Sequence, residues 1–194
     1  MSYINTRNVI MTIEEAKIKL REYFEDACEV LGVHCQSIPF VYEHIGERFR
    51  TVNNTCEVDG DCLYINEDWI TEILKINFLY DLQYQMYHEA RHFYQAMVIA
   101  DYRTRGKSRE LPATIYQWEM EGANYIRNEG TEDSQKANAT QKMEIDANAF
   151  AIVMLNMKGI TEVRAPIELW KETEKRVYEI ARTLKVMKSH EKSV

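Results

Sequence analysis

The sequence has 194 residues, of which 45% are hydrophobic and 28% are charged. Those proportions are typical of globular proteins and exclude an intrinsically disordered chain. Its 24 lysine and arginine residues are outnumbered by 31 aspartate and glutamate residues, which gives a net charge of -7. Direct binding to nucleic acid is therefore not expected, because contacts to phosphate need a cationic surface. The length predicts one domain over residues 1–194, with frayed tails at 1–11 and 188–194.

No part of the sequence predicts export or contact with a membrane. The N-terminus lacks the basic and then apolar stretch of a secretory signal. No apolar run approaches the roughly 20 residues that cross a bilayer. We therefore expect a cytoplasmic protein whose four cysteines are reduced.

One cysteine pair leaves alternatives open. Cys56 and Cys62 flank Asp59 and Gly60, a dipeptide that predicts a hairpin turn. A loop of three residues would bring the two thiols face to face, whereas a loop of two residues would misalign them. We expect a reduced pair rather than a disulfide, and a zinc site at this pair is the least favoured interpretation.

The predicted secondary structure begins with a helix and a small sheet and is helical from Asp68 onward. Thr12 and Glu15 form a capping box at the start of the first helix, and Gly32 ends it. Short β-branched and aromatic runs then predict an antiparallel sheet within residues 37–66, with strands at 38–42, 49–52 and 62–65. The later helices are predicted at 68–76, 78–101, 112–128, about 136–157 and from Pro166 onward. The sequence thus predicts an α+β fold, dominated by helices, with a small N-terminal sheet.

The strongest chemical signal is the run from His88 to His92, which reads His-Glu-Ala-Arg-His inside the predicted helix 78–101. Residues four apart lie on one face of a helix, so both imidazoles can reach one metal ion. Glu89 lies beside that ion, where its carboxylate can take a proton from water without serving as a ligand. The alternative is a chance match in an amphipathic helix. The helical projection favours a site, because both histidines fall on the polar face.

A catalytic zinc ion takes a third protein ligand and leaves its fourth position to water. Glu144, on the predicted helix 136–157, is the candidate for that ligand. Asn148 lies four residues further on the same face, where it can accept a hydrogen bond from the non-ligating nitrogen of His88 or His92. The small residues Ala147 and Ala151 allow this helix to approach the first one closely. The alternative is an exposed carboxylate beside an alanine-rich packing seam.

These two blocks resemble a known group of enzymes. His-Glu-x-x-His followed by Glu-x-x-Ala-Asn-x-Phe-Ala at 144–151 is similar to the gluzincin-type zinc metallopeptidases, and among them to the ImmA/IrrE family of bacterial and phage-borne intracellular proteins. The extended blocks also resemble metallopeptidases carried on bacterial mobile elements. The resemblance implies a zincin-like domain with its metal site between two helices. One Zn²⁺ would be held by His88, His92 and Glu144, with Glu89 as general base and Asn148 behind the ligands.

Two features depart from that family. Arg91 stands where ImmA-like proteins often have glycine. The stretch between the two blocks is long, and we expect its residues 102–140 to form an element that faces the substrate. No helix-turn-helix segment is evident, in keeping with a protein that does not bind DNA itself.

The predicted function is that of a zinc-dependent peptidase that hydrolyses a peptide bond in an intracellular protein, and the resemblance implies a regulatory protein as substrate. An extended substrate could add as a strand to the edge of the small sheet. Two alternatives remain open: a catalytically silent, zinc-containing module that binds proteins, and an amide hydrolase for substrates other than peptides. A purely structural site would need no Glu89 and would have a fourth protein ligand.

The negative charge that develops on the substrate oxygen needs a donor besides the metal. Tyr125, Tyr116 and Arg127, on the predicted helix 112–128, could reach the cleft, and Tyr125 is the catalytic candidate among them. Tyr84 and Gln95 share the face of the histidines and could line the cleft instead.

Overall fold

The computed structural model describes residues 11–129, 131–161 and 169–191. Its elements, in chain order, are α1 (Ile13–Leu31), β1 (Phe40–Glu43), β2 (Cys56–Asp59), β3 (Cys62–Asn66), α2 (Glu67–Ile76), α3 (Tyr80–Arg105), α4 (Pro112–Ala123), α5 (Glu132–Ala139), α6 (Lys142–Met157) and α7 (Trp170–Glu191). The predicted helix-dominated α+β class is confirmed. The predicted start of the last helix at Pro166 lies outside the described residues, as do residues 1–10 and 192–194 of the tails predicted at 1–11 and 188–194. Residues 188–191 of the second predicted tail belong to α7.

Helix α1 begins and ends where the sequence predicts. The backbone N–H of Glu15 donates to Thr12 Oγ1 at 3.3 Å, and the backbone N–H of Thr12 donates to Glu15 Oε2 at 2.8 Å. These two bonds satisfy donors that the first turn of a helix leaves free. Gly32 ends the helix with a φ of 70°, in the left-handed region that glycine adopts without strain. The buried face of α1 packs against α3.

The small sheet is mixed, with the strand order β1-β3-β2. Strand β2 is antiparallel to β3, in keeping with the turn predicted at Asp59 and Gly60, but β1 is parallel to β3, so the prediction of a wholly antiparallel sheet is wrong. The predicted strand at 49–52 is wrong as well, since Phe49 makes only an isolated bridge with Ile45 and buries its ring. The connection from β1 to β2 therefore carries the chain to the far edge of the sheet, and β3 returns between them.

The hairpin between β2 and β3 settles the arrangement of the cysteines. Asp59 is opposite Cys62, which leaves a loop of two residues in which Gly60 has a φ of 60°. Cys56 is opposite Ile65, so the two thiols do not face each other. All four cysteines are free, as expected for reduced thiols.

The predicted helix at 136–157 is two helices, α5 and α6, which are separated at Thr140 and Gln141. In the first turn of α6, the backbone N–H of Met143 donates a hydrogen bond at 2.8 Å to Glu121, near the end of α4, which satisfies a donor that the start of a helix leaves free. Helix α4 ends at Ala123, five residues before its predicted end at 128.

Helix α3 lies at the centre of the molecule. It packs against α1 and α6, and α6 in turn packs against α7. The core between these helices also takes in Leu63 and Ile65 of the central strand. Within the described part of the chain, no helix combines the length and the apolar character needed to cross a bilayer.

Candidate metal centre

Helices α3 and α6 bring His88, His92 and Glu144 to one point. Nε2 of His88 is 3.3 Å from Oε2 of Glu144, and Nε2 of His92 is 3.2 Å from Oε1. The two Nε2 atoms are 2.9 Å apart. One donor atom from each residue lies within 4.8 Å of the other two, so the three residues can hold one metal ion. Glu144 reaches this point from the first turn of α6.

Asn148 contacts the ring nitrogen of His88 that faces away from Glu144. Its Oδ1 lies 2.9 Å from His88 Nδ1 and accepts a hydrogen bond from the Tyr84 hydroxyl at 2.6 Å. Since an amide oxygen can only accept, Nδ1 carries the hydrogen and Nε2 keeps its lone pair for an ion. The predicted contact between Asn148 and a histidine is present. The expectation that Tyr84 lines the cleft is wrong, because its hydroxyl is taken up by Asn148.

Gln95 holds His92 in the same way. Its Oε1 lies 2.9 Å from Nδ1 of His92, while its amide nitrogen donates to the backbone oxygen of Met143 at 3.1 Å and to Asp146 Oδ2 at 2.7 Å. The side chain is fully buried and does not reach the cleft, contrary to the sequence-based expectation. Nε2 of each imidazole thus faces the carboxylate of Glu144.

The charges of the centre favour a cation. Burial opposes protonation of His92, but the Glu144 carboxylate, Glu89 and the contact with Gln95 raise the pKa of this histidine to about 9. Burial likewise opposes ionisation of Glu144, but the two histidines hold its pKa well below its ordinary value. Two imidazoles and one carboxylate each direct a possible ligand atom to this point. Imidazole nitrogen and carboxylate oxygen are ligands that zinc accepts, so the donor set fits this ion.

Glu89 lies next to the centre without belonging to the ligand group. Its side chain is buried at the cleft, and Oε1 accepts a hydrogen bond from Gln85 Nε2 at 2.6 Å. Its Oε2 hydrogen-bonds to no side chain among the described residues. This oxygen is therefore available to take a proton from a molecule in the cleft.

Tyr125 lies in the segment that follows α4, not on the helix as predicted. Its hydroxyl donates to Glu144 Oε1 at 2.6 Å and accepts from Asn138 Nδ2 at 3.0 Å. Burial and the negative charge of Glu144 raise the pKa of this phenol, which remains a donor at neutral pH. Gln141 holds the segment, since its side chain accepts from the backbone N–H of Ile126 at 2.9 Å and donates to the backbone oxygen of Ile126 at 3.1 Å.

Of the other two oxyanion candidates, one lies outside the cleft and one lines it. Tyr116 is 63% exposed on the outer face of α4 and does not line the cleft. Arg127 does line it, but its guanidinium pairs with Glu57 Oε1 at 2.7 Å.

The centre opens into a cleft of about 1060 Å³. All four residues of β2, Cys56–Asp59, line the cleft, and β2 is an edge strand with β3 as its partner. Residues 102–140 contribute seven residues to the lining: Gly122, Tyr125, Arg127, Asn128, Glu129, Asn138 and Ala139. The second half of the insert thus lines the cleft.

Sequence reasoning missed a buried ionic network behind the histidines. Asp146 accepts from Arg91 Nε at 2.8 Å and from Arg176 Nε at 2.6 Å, and Glu110 pairs with both arginines. Arg91 and Asp146 are 3% and 2% exposed. The sequence does place oppositely charged residues beside the candidate ligands, one on each helix. It does not show that these two side chains meet when the helices pack.

Comparison of the chain with protein-family models, with curated proteins and with solved structures gives no match. The resemblance to gluzincin peptidases therefore rests on the two sequence blocks. To these the structure adds the convergence of two histidines and a glutamate between α3 and α6.

Proposed function

We propose that the protein is a zinc-dependent peptidase that hydrolyses a peptide bond in a protein substrate. One observation carries the proposal: two imidazoles and a carboxylate converge at the cleft, while a second carboxylate, Glu89, lies beside them outside the ligand group. A site that serves only to stabilise a fold needs four protein ligands and no spare carboxylate. The resemblance to the ImmA/IrrE family makes an intracellular regulatory protein the expected substrate.

His88, His92 and Glu144 would hold the ion. When bound, Zn²⁺ supplies Lewis acidity, which polarises a carbonyl group and lowers the pKa of a coordinated water to about 7. The two amide oxygens behind the histidines keep Nε2 of each ring free as a ligand. These contacts favour the neutral, ligating tautomer over the alternative one.

Glu89 is the proposed general base and, later, the general acid. Gln85 occupies Oε1, so the proton would be accepted at Oε2 and passed to the amine of the leaving peptide. Tyr125 is the proposed donor to the substrate oxygen on which negative charge develops, because its hydroxyl lies at the centre and stays protonated.

Strand β2 is the proposed binding edge for an extended substrate. An edge strand has free backbone donors and acceptors, with which a peptide can pair as an added strand. Because β2 also lines the cleft, a peptide paired with it would pass close to Glu89.

The test is digestion of a diverse peptide library by the wild type and by Glu89→Gln, with zinc measured in both proteins. We expect cleavage by the wild type and a loss of at least about 1000-fold in Glu89→Gln, because the variant cannot accept a proton. Zinc content should be equal, since Glu89 is not a ligand. Glu29→Gln, which changes an exposed carboxylate on α1, is the control and should cleave like the wild type.

Three results would contradict the peptidase. Full cleavage by Glu89→Gln would exclude Glu89 as the general base of the peptidase. A wild type that binds zinc and cleaves no peptide would favour the protein-binding module. Cleavage of small acyl amides without cleavage of peptides would favour the non-peptide amide hydrolase.

A further inference from the structure

We propose that Gln95 is a positioning residue of the metal centre, which fixes the tautomer and the orientation of the His92 imidazole. The inference deepens the proposed function, because it concerns how one ligand of the same centre is kept ready for the ion. Gln95 lies on α3, three residues after His92, and its side chain is fully buried.

The orientation of the Gln95 amide is decided by its neighbours. The backbone oxygen of Met143 and Oδ2 of Asp146 lie 3.1 Å and 2.7 Å from Nε2, and both can only accept hydrogen bonds. They therefore use both hydrogens of the amide nitrogen. Only the oxygen is left for His92, and it lies 2.9 Å from Nδ1.

This contact determines which nitrogen of His92 binds the ion. Because Gln95 Oε1 is an acceptor, Nδ1 of His92 carries the hydrogen. Nε2 then keeps its lone pair, and it is this atom that lies 3.2 Å from Glu144. The opposite tautomer would leave two acceptors facing each other at Gln95 and would turn a hydrogen toward the ion.

Asp146 is itself held in place, so the Gln95 amide cannot turn over at low cost. Arg91 Nε donates to Oδ2 at 2.8 Å, and Arg176 Nε donates to Oδ1 at 2.6 Å. Both carboxylate oxygens are therefore fixed from two helices, α3 and α7. A buried chain of hydrogen bonds runs from this ionic network through Gln95 to His92, with no water needed to complete it.

The first test measures zinc affinity, by competition with a chelator, for the wild type, Gln95→Met and Gln83→Met. Methionine keeps the length of glutamine and removes its amide. We expect Gln95→Met to bind zinc about 10- to 100-fold more weakly, the usual effect of losing the partner of a ligating histidine. Gln83→Met is the matched control, because Gln83 lies on the same helix and, among the described residues, donates to the Tyr87 hydroxyl rather than to the centre. It should match the wild type. A folded Gln95→Met with unchanged affinity would overturn the inference.

The second test reads the tautomer itself and does not require the variant to fold. The ¹⁵N shifts of the His92 ring, measured on wild type with zinc and without zinc at alkaline pH, distinguish the protonated nitrogen from the free one. We expect hydrogen on Nδ1 in both states, and hydrogen on Nε2 in the zinc-free state would overturn the inference. If the wild type binds no zinc, the proposed function fails, while the zinc-free spectrum still decides the role of Gln95.

Discussion

The protonation states of the residues at the centre affect how tightly zinc can bind. The state of His92 is the most informative of them. Without zinc, its pKa of about 9 keeps the imidazole protonated at neutral pH, with the charge balanced by Glu144. A histidine must be neutral to bind zinc, so zinc must displace this proton.

This competition predicts that zinc binds more tightly as the pH rises toward 9. Each pH unit below the pKa of His92 costs about tenfold in apparent affinity, so affinity should increase about 100-fold from about pH 6.5 to about pH 8.5. Calorimetry in two buffers of different ionisation enthalpy should also show release of about one proton at neutral pH. An affinity that does not change with pH would show that His92 is already neutral in the zinc-free protein.

The catalytic role of Tyr125 is a prediction, as is that of Glu89. If its hydroxyl stabilises charge on the substrate oxygen, Tyr125→Phe should lower kcat about 100-fold, as removal of such a donor does. The variant should still contain zinc, which separates this role from support of Glu144. Tyr116→Phe changes an exposed tyrosine outside the cleft and serves as the control. Equal kcat values for the wild type and Tyr125→Phe would exclude Tyr125 as the donor.

The candidate ligands and Asn148 could be predicted because the spacing within each pair is local to one helix, while the resemblance to a known family indicated that the two pairs belong together. His88 and His92, and also Glu144 and Asn148, are pairs four residues apart. The ionic pair of Arg91 with Asp146 could not be predicted, because it depends on how two distant helices are rotated against each other. Gln95 was misassigned for the same reason: α3 is buried on several sides, and no single polar face describes it.

Among the elements, those with local signals were predicted well. Helix α1 has its capping box and its final glycine, and α2 and α3 have helical periodicity. The parallel pairing of β1 with β3 has no local signal, since it depends on the path of residues 44–55. The first turn of α6, after the break from α5, donates to Glu121, which belongs to another helix. The start of α6, and with it Glu144, is thus supported by a tertiary contact.

The contribution of the α1 capping box to the free energy of unfolding can be measured. It bears on the centre because α1 packs against α3, which carries both histidines. Thr12→Ala removes the side chain that caps the backbone N–H of Glu15, and it should lower the free energy of unfolding by about 1 kcal/mol. Urea unfolding of the zinc-free protein measures this change. Thr104→Ala is the comparison, because within the described part of the chain the Thr104 hydroxyl donates to backbone carbonyls of its own helix and caps no N–H group. A loss of similar size in both variants would refute a specific effect of the cap.

At the scale of the whole molecule, the ionic network joins the helices that carry the centre to α7. Asp146 is its middle residue, and the two arginines hold the pKa of this carboxyl below its ordinary value despite burial. Removing one charge from such a network leaves the opposite charges buried without a partner. This lowers the free energy of unfolding more than replacing the whole ion pair with apolar residues would.

Asp146→Asn should therefore destabilise the zinc-free protein by about 3 kcal/mol, since Arg91 would keep only Glu110 as an ionic partner. Glu179→Gln removes an exposed partner of Arg176 and should change the free energy of unfolding by less than about 0.5 kcal/mol. Thermal unfolding of both variants and the wild type gives the comparison. An Asp146→Asn protein as stable as the wild type would mean that the network is not important for stability.

The most direct test of the account is a zinc titration of the wild type and Glu144→Gln, with the wild-type ligands identified by X-ray absorption. We predict one zinc per chain with nitrogen and oxygen ligands, and an affinity at least about 100-fold lower for Glu144→Gln, which lacks the negative ligand. Glu119→Gln, which alters a surface partner of Arg103, should bind like the wild type. If Glu144→Gln binds zinc as tightly as the wild type, the three side chains do not form the metal centre and the proposed activity has no basis.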